Sequence, residues 1–148
     1  MIDVSKQLKE KYPRVLVVDD DMMNIEVLGA MLFNKKIDID FAMKGTEALR
    51  LIQERLELIY RGETTMYKVI LLDYSMPEMD GPQLAVEIQK LLDSSILFDN
   101  KDKPFICCCT AYYEAVFRRQ AKLAGMDRFL TKPIEKKDLN EIVEKVNS

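Results

Sequence analysis

Short, continuous apolar runs alternate along this chain with longer stretches of helical spacing, and this alternation constrains the fold more than any other feature. The clearest runs are residues 15–18, 69–72 and 105–109. Each run is too short for a helix and lacks the polar alternation of a half-exposed strand. Each therefore predicts a strand that is buried on both faces. The weaker runs 37–42 and 128–130 predict two further strands.

The stretches between the runs predict helices, and one helix follows each predicted strand. The last stretch shows the pattern most clearly, with Leu139, Ile142 and Val146 at i, i+3 and i+7. Thr46 is the predicted N-cap of the second helix, and Gly125 is the predicted stop of the fourth. The order βαβαβαβαβα predicts an α/β fold in which helices cover both faces of a parallel sheet.

The chain length fits one domain, because 148 residues are too few for two ordinary domains. We predict a tail or linker remnant over residues 1–12 and one domain over residues 13–148. Residues 61–68 and 93–104 are predicted surface connections. The apolar centre of the second connection, residues 96–98, is expected to tuck against the domain; the alternative is a contact with a partner.

Composition excludes several classes of function. The chain has no histidine, so it cannot form a His-dependent nucleophile, a His-ligated metal site or its own phosphohistidine. Its net charge of −3 argues against a surface for nucleic acid. Cys107, Cys108 and Cys109 are adjacent and would point to opposite faces of a strand, which disfavours disulfides and indicates an intracellular, reducing compartment. The sequence has neither an 18-residue apolar stretch nor a recognisable signal peptide.

Polar residues that can carry chemistry follow the predicted strands. They are Asp19, Asp20 and Asp21 after the first strand, Asp73 after the third, Thr110 after the fourth and Lys132 after the fifth. The carboxyl ends of parallel strands share one edge of the sheet, where sites of open α/β folds form. Each residue alone has an ordinary explanation as a helix cap or a solvated turn. Together, clustered carboxylates favour Mg²⁺, and a nearby lysine and hydroxyl favour a phosphate-like group.

At these residues the chain resembles a response-regulator receiver domain, the phosphoacceptor module of two-component signalling. The matching segments are residues 17–21 (VVDDD), 72–81 (LDYSMPEMDG), 110–111 (TA) and 125–133 (GMDRFLTKP). The resemblance extends over about residues 13–147. It implies a flavodoxin-like, doubly wound, five-stranded parallel sheet in the order 2-1-3-4-5, with helices on both faces.

The resemblance also implies roles for the acidic residues. Asp73 would be the nucleophile that becomes aspartyl phosphate. Asp20 and Asp73 would bind Mg²⁺ directly, Asp19 would bind it through water, and the backbone carbonyl of Ser75 would be a further ligand. Asp21 is a third acid beyond the usual pair, and we expect it in the first turn of the helix rather than at the metal.

Further roles come from the same resemblance. Lys132 would pair with the phosphoryl oxygens, and the peptide bond between Lys132 and Pro133 would be cis. Thr110 would bond to a phosphoryl oxygen and, with Phe129, form a switch that rearranges the fourth helix, the last strand and the last helix. This face is the expected surface for a partner or a homodimer. Tyr112 holds a position expected to influence how water reaches the phosphoaspartate.

The expected function is a phosphoacceptor that takes its phosphoryl group from a histidine kinase or a histidine phosphotransfer domain. It would not be a conventional enzyme, since it would catalyse only its own phosphorylation and dephosphorylation. We expect a cytoplasmic location with no direct contact to nucleic acid or membrane, although a larger parent protein could tether the domain to one. Both a stand-alone regulator and the receiver of a hybrid histidine kinase fit the sequence.

Three alternatives use a related site or the same fold. A haloacid-dehalogenase-like phosphatase also uses an aspartate, a lysine and Mg²⁺, but it needs an acid at the position of Ser75. A degenerate receiver would act only as a binding module. A flavodoxin would need a phosphate-binding loop where three aspartates stand. Met22 and Met23, at the head of the first helix, fit either packing or an adaptable partner surface.

Overall fold

The carboxyl edge of one parallel sheet organises the molecule. The computed structural model describes residues 11–111 and 114–148. Within them the strands are β1 (Val15–Val18), β2 (Ile39–Ala42), β3 (Val69–Asp73), β4 (Phe105–Thr110) and β5 (Arg128–Thr131). All neighbouring pairs run parallel, in the order β2-β1-β3-β4-β5. This order confirms the predicted flavodoxin-like topology.

Helices cover both faces of the sheet, as predicted. They are α1 (Met22–Phe33), α2 (Gly45–Tyr60), α3 (Gly81–Ser94), α4 (Ala115–Leu123) and α5 (Lys136–Val146), with a 3₁₀ turn at Asn100–Asp102. One core packs α1 and α5 on one face, and a second core packs α2, α3 and α4 on the other. The strands contribute side chains to both cores because alternate side chains point to opposite faces, as those of Val17 and Val18 do.

The cysteines follow the same alternation along β4. Cys107 and Cys109 lie in the core under α1 and α5, while Cys108 lies in the other core. Burial raises the pKa of Cys108 to about 12, so this thiol stays neutral at physiological pH. The three residues therefore behave as small buried hydrophobes, as predicted.

Several element boundaries differ from the sequence prediction. β3, β4 and β5 each continue one residue farther, so that Asp73 and Thr110 are the last residues of their strands. β2 begins at Ile39 rather than at residue 37. Ile37 instead closes the turn after α1, where its N–H donates to the Leu32 carbonyl at 3.0 Å.

The predicted N-cap of α2 is wrong. The helix begins at Gly45 after Lys44, which makes no side-chain cap, so Thr46 lies inside the first turn. A Cβ at Gly45 would lie 2.7 Å from the Met79 sulfur, so the start of the helix packs closely against the Met79 side chain. The predicted stop of α4 is confirmed, because Gly125 follows the helix with a φ of +85°.

Both long connections depart in part from the prediction. Ile96 and Leu97 are 97% and 65% exposed, so the expected tuck is wrong for them, and of the three residues only Phe98 packs against the core. The tight turn in which the Phe98 N–H donates to the Ser95 carbonyl accounts for this difference. In the other connection, Met66 and Tyr67 are buried rather than on the surface. In the described part of the chain, no helix is both long and apolar enough to cross a membrane.

Candidate acidic site

Three carboxylates meet at the carboxyl edge of the sheet. Asp19 and Asp20 follow β1, and Asp73 ends β3; ligand oxygens of the three lie within 4.8 Å of one another. The parallel register pairs Val18 with Leu72, which brings the two strand ends side by side. Asp19 is buried, Asp73 is partly buried and Asp20 is exposed, so the cluster opens to solvent on one side.

Lys132 joins two of these carboxylates. Its Nζ donates to Asp19 Oδ2 at 2.8 Å and to Asp73 Oδ1 at 3.2 Å. The lysine follows β5 directly, and its backbone N–H donates to the Thr110 carbonyl at 2.7 Å. The peptide bond between Lys132 and Pro133 is cis. The site thus combines three acids with one cation that contacts two of them.

Asp19 is held by hydrogen bonds on both carboxylate oxygens. Oδ1 accepts from the Asp21 N–H at 2.9 Å, and Oδ2 accepts from Asn24 Nδ2 at 3.3 Å as well as from Lys132. Asn24 was not among the predicted site residues. Its place in the first turn of α1, directly after the acidic run, is the signal that could have revealed it.

Asp21 caps α1 rather than joining the acidic cluster of Asp19, Asp20 and Asp73. It occupies the N-cap position, where its carboxylate accepts from the Met23 N–H at 2.9 Å. This is one position before the first turn in which we expected it, and the carboxylate has the favourable interaction with the helix N-terminus that we predicted.

A glycine fixes the backbone that carries Asp73. The Gly81 N–H donates to the Tyr74 carbonyl at 2.8 Å, and a Cβ at Gly81 would lie 2.5 Å from the Asp73 carbonyl oxygen. Asp80 and Gln83 form a reciprocal capping box at the start of α3. The start of α3 therefore packs against the end of β3 at a distance that only glycine permits. The sequence motif included Gly81, but this role was not predicted.

The remaining predicted residues lie on β4, on β5 and in the loop after β3. Thr110 is buried at the end of β4, in register with Thr131 of β5. Phe129 is also buried, in the core beneath α4, and Ser75 is exposed in the loop after β3. Tyr112, whose predicted influence concerned water, lies outside the described residues.

A groove along α1 leads to the acidic cluster. It has a volume of about 380 Å³, and its lining includes Met23, Val27 and Met31 from α1 together with Asp73 and Lys132. Met23 and Val27 are 69% and 57% exposed. Met22, by contrast, packs against the core under α1 and α5. Of the two alternatives predicted for these methionines, packing therefore applies to Met22 and an exposed surface applies to Met23.

The environment shifts the acidity of two site residues. Burial raises the pKa of Asp73 to about 6; the charges of Asp19 and Asp20 also raise it, while Lys132 opposes the rise. Burial lowers the pKa of Lys132, but its bond to Asp19 and the charge of Asp73 outweigh this effect and raise the pKa overall. Lys132 therefore stays charged, and ionised Asp73 carries an electrostatic cost in the absence of a metal.

This cost predicts a pH dependence of stability. A carboxyl with a higher pKa in the folded protein binds its proton more tightly there, so it destabilises the fold as pH rises from about 4 through about 6. The full effect is at most about 3 kcal/mol, because solvent on the open side of the cluster screens the neighbouring charges. In EDTA, Asp73→Asn should be more stable than the wild type to urea near pH 8. The gain should shrink near pH 4.5; equal gains at both pH values would contradict the assignment.

Comparisons with known proteins agree on one family. The family model described as "Response regulator receiver domain" matches residues 15–144. Hybrid signal transduction histidine kinase L of Dictyostelium discoideum is 32% identical over 89% of this chain. Sensor protein GacS of Pseudomonas syringae pv. syringae is 29% identical over 95% of it. This chain spans only 7% and 14% of those two proteins.

Solved structures give the same result. The receiver domain of the histidine kinase CKI1 from Arabidopsis thaliana, complexed with Mg²⁺ and BeF₃⁻, is 30% identical, with a TM-score of 0.77. The match covers 92% of this chain and 91% of that one. The structure complexed with Mg²⁺ alone also has a TM-score of 0.77.

Proposed function

The chain belongs to the response-regulator receiver family, and we propose that Asp73 is the residue that takes a phosphoryl group from a partner phosphohistidine. The family and the acidic pocket agree with Mg²⁺-dependent aspartate phosphorylation in a phosphorelay. One observation carries the assignment to Asp73: Lys132 holds this carboxylate beside Asp19 at the solvent-open carboxyl edge of the sheet. Receiver domains are not conventional enzymes, so the only reaction that we propose is the phosphorylation and dephosphorylation of the chain itself.

The proposed reaction needs no base from this chain. A carboxylate oxygen of Asp73 forms a bond to phosphorus while the P–N bond of the phosphohistidine breaks, and the imidazole leaves with the partner. With a pKa of about 6, Asp73 is mostly ionised at neutral pH. Lys132, already bonded to Asp73 Oδ1, offsets the negative charge that gathers on the phosphoryl oxygens.

The acidic cluster fits Mg²⁺. Three carboxylates supply hard oxygen ligands within 4.8 Å of one another, and the exposed Asp20 leaves room for the waters that this ion retains. We propose Asp20 and Asp73 as direct ligands, Asp19 as a ligand through water and the Ser75 carbonyl as a further ligand. When bound, the ion supplies charge neutralisation for the acids and the phosphoryl group.

The family implies a histidine kinase or histidine phosphotransfer partner. We propose that the donor docks in the groove along α1, because exposed Met23 and Val27 lead directly to Asp73. We propose that the receiver domain extends over residues 13–148. We also propose that it is part of a hybrid histidine kinase, which the similarity to the Dictyostelium kinase supports. The proposed location of the domain is cytoplasmic.

The proposed output is a packing switch. A phosphoryl group on Asp73 draws the Thr110 hydroxyl toward it, and this favours the buried position of Phe129, which fills the space behind and cannot hydrogen-bond. Both residues are buried on adjacent strands. The rearranged face comprises α4, β5 and α5, and it is the proposed surface for a partner or for a homodimer.

The metal proposal predicts a response that depends on Asp20. Millimolar Mg²⁺ should raise the melting temperature of the wild type, with a stabilisation of about 2.7 kcal/mol at a hundred times Kd. It should also be required for phosphoryl uptake from acetyl phosphate. Asp20→Asn should lose most of both responses because it removes a ligand charge from the cluster.

Asp21→Asn is the matched control, since it removes a neighbouring charge and keeps a residue that can cap α1. This variant should retain both responses to Mg²⁺. Equal responses in Asp20→Asn and Asp21→Asn would place the metal elsewhere. Phosphoryl uptake that persists in EDTA would contradict the proposed requirement for Mg²⁺.

A further inference from the structure

An exposed apolar patch lies at the amino edge of the sheet, opposite the acidic site. It comprises Tyr60 at the end of α2 and Ile96 and Leu97 in the loop after α3, which are 73%, 97% and 65% exposed. Each helix returns the chain from the carboxyl edge to the amino edge, so α2 and α3 both end here. A cluster of large exposed apolar side chains is typical of a surface that binds another segment of protein.

Two adjoining cavities accompany this patch between the ends of α2 and α3. Their volumes are about 590 and 350 Å³. They share Leu56, Tyr60, Ser94 and Ser95 in their linings, so we describe them together as the basal groove. Phe98 lines the second cavity and packs against the core, which anchors the loop that forms one wall. The basal groove is therefore already formed in the absence of a bound segment.

The residues just before β1 are anchored beside the basal groove. The Tyr12 hydroxyl donates to Glu63 Oε2 at 3.2 Å. Glu63 Oε1 in turn lies 3.9 Å from Nε of Arg61, which lines the groove. Arg55 Nη2 donates to the Pro13 carbonyl at 2.9 Å and fixes the backbone at the next residue. The chain that precedes Tyr12 therefore starts from a fixed point next to the basal groove.

The sequence of residues 1–10 is complementary to an apolar groove. Met1, Val4 and Leu8 are spaced i, i+3 and i+7, which places them on one face of a helix. A helix this short is marginal in water on its own, so its apolar face needs a surface to pack against. Ten residues extend about 15 Å as a helix and up to about 33 Å as an extended chain. The segment is therefore long enough to lie along the basal groove from its anchored end.

We propose that residues 1–10 dock in the basal groove as a helix, with Val4 and Leu8 packed against Tyr60 and Leu97. The docked segment covers the exposed apolar patch at the amino edge of the sheet. It leaves the acidic site at the opposite edge open, together with the groove along α1. The contact is made within the chain and does not depend on phosphorylation of Asp73.

Disulfide crosslinking of the full chain tests where the segment lies. Leu8→Cys is combined with Leu97→Cys, and a mild oxidant is added. The three native cysteines are buried and do not compete for the oxidant. A disulfide within one chain should form, and intact mass and a non-reducing gel detect it. The control pair combines Leu8→Cys with Met23→Cys, which is at the carboxyl edge and equally exposed at 69%; it should crosslink at least about tenfold more slowly.

Two results of the crosslinking would overturn the proposal. Equal rates for the two cysteine pairs would show that residues 1–10 do not prefer the basal groove. A disulfide between two chains, in place of one within a chain, would show that a second copy occupies the groove. Repeating the reaction at lower protein concentration distinguishes these products, because only the disulfide within one chain forms at a rate that is independent of concentration.

Limited proteolysis measures the same contact without engineered cysteines. Trypsin should cleave after Lys6 and Lys9 slowly in the wild type, because docking protects the segment. Leu8→Asp and Leu97→Asp should each raise the rate of this cleavage by at least about tenfold. Met23→Asp places the same charge at the carboxyl edge and should leave the rate unchanged. Cleavage of Leu8→Asp and Leu97→Asp at the wild-type rate would overturn the proposal.

Discussion

Asp73→Asn should reduce phosphoryl uptake from acetyl phosphate by at least about a thousandfold, which is the scale expected when a nucleophile is removed. The amide is neutral and a poor nucleophile, and it cannot form an acyl phosphate. Lys132 can keep its contact with Asp19 at 2.8 Å, so the variant should fold. Phosphoryl incorporation measured by intact mass in the presence of Mg²⁺ gives the result.

Two variants separate loss of the nucleophile from loss of charge. Asp21→Asn removes an acid that caps α1 and should leave the rate within about twofold. Lys132→Met should slow uptake strongly without abolishing it, because it removes a positioning charge while Asp73 remains. Uptake by Asp73→Asn at the wild-type rate would show that another residue is the acceptor.

Arg55→Met should lower the free energy of unfolding by about 3 kcal/mol, the largest effect that we expect away from the acidic site. Arg55 is 4% exposed and donates to the carbonyls of Pro13 and Thr65, at 2.9 and 3.2 Å. Its guanidinium also lies 3.2 Å from Asp40 and 4.0 Å from the centroid of the Tyr67 ring. The substitution leaves two carbonyls and one carboxylate without this donor. We place the effect near the lower end of the range for buried pairs because Asp40 is 33% exposed.

Arg50→Met provides the control on the same helix. Arg50 pairs with Glu54 at 2.6 Å, but both side chains are more than half exposed. The loss of this surface pair should cost less than about 0.5 kcal/mol. Urea denaturation of both variants measures the difference, and equal losses would show that the contacts of Arg55 contribute no more than a surface ion pair.

The sequence predicted those features of the fold that depend on local pattern. Buried strands read as apolar runs because helices cover both faces of the sheet, and so residues 15–18 were placed without error. The edge at which Asp19, Asp20 and Asp73 meet followed from the rule that parallel strands share their carboxyl ends. The strand order came from the resemblance, and the structure confirms it.

Features that depend on distant contacts were not predicted. α2 begins at Gly45, which packs closely against Met79, and this contact between residues far apart in sequence was not visible in the local pattern that suggested Thr46 as the cap. Arg55 was missed because a cation in a helix ordinarily faces solvent. Its position three residues after buried Ile52 was the available signal. The apolar residue Ile96 was expected to be buried, but a tight turn in the loop exposes it.

Chemical trapping of the phosphorylated residue tests the central claim most directly. The protein is phosphorylated with acetyl phosphate and Mg²⁺, and borohydride then reduces the acyl phosphate, which converts the modified aspartate to homoserine. Peptide mass spectrometry should locate homoserine at position 73 and at neither Asp19 nor Asp20. Homoserine at another acidic residue, or none after uptake has been demonstrated, would contradict Asp73 as the phosphoacceptor.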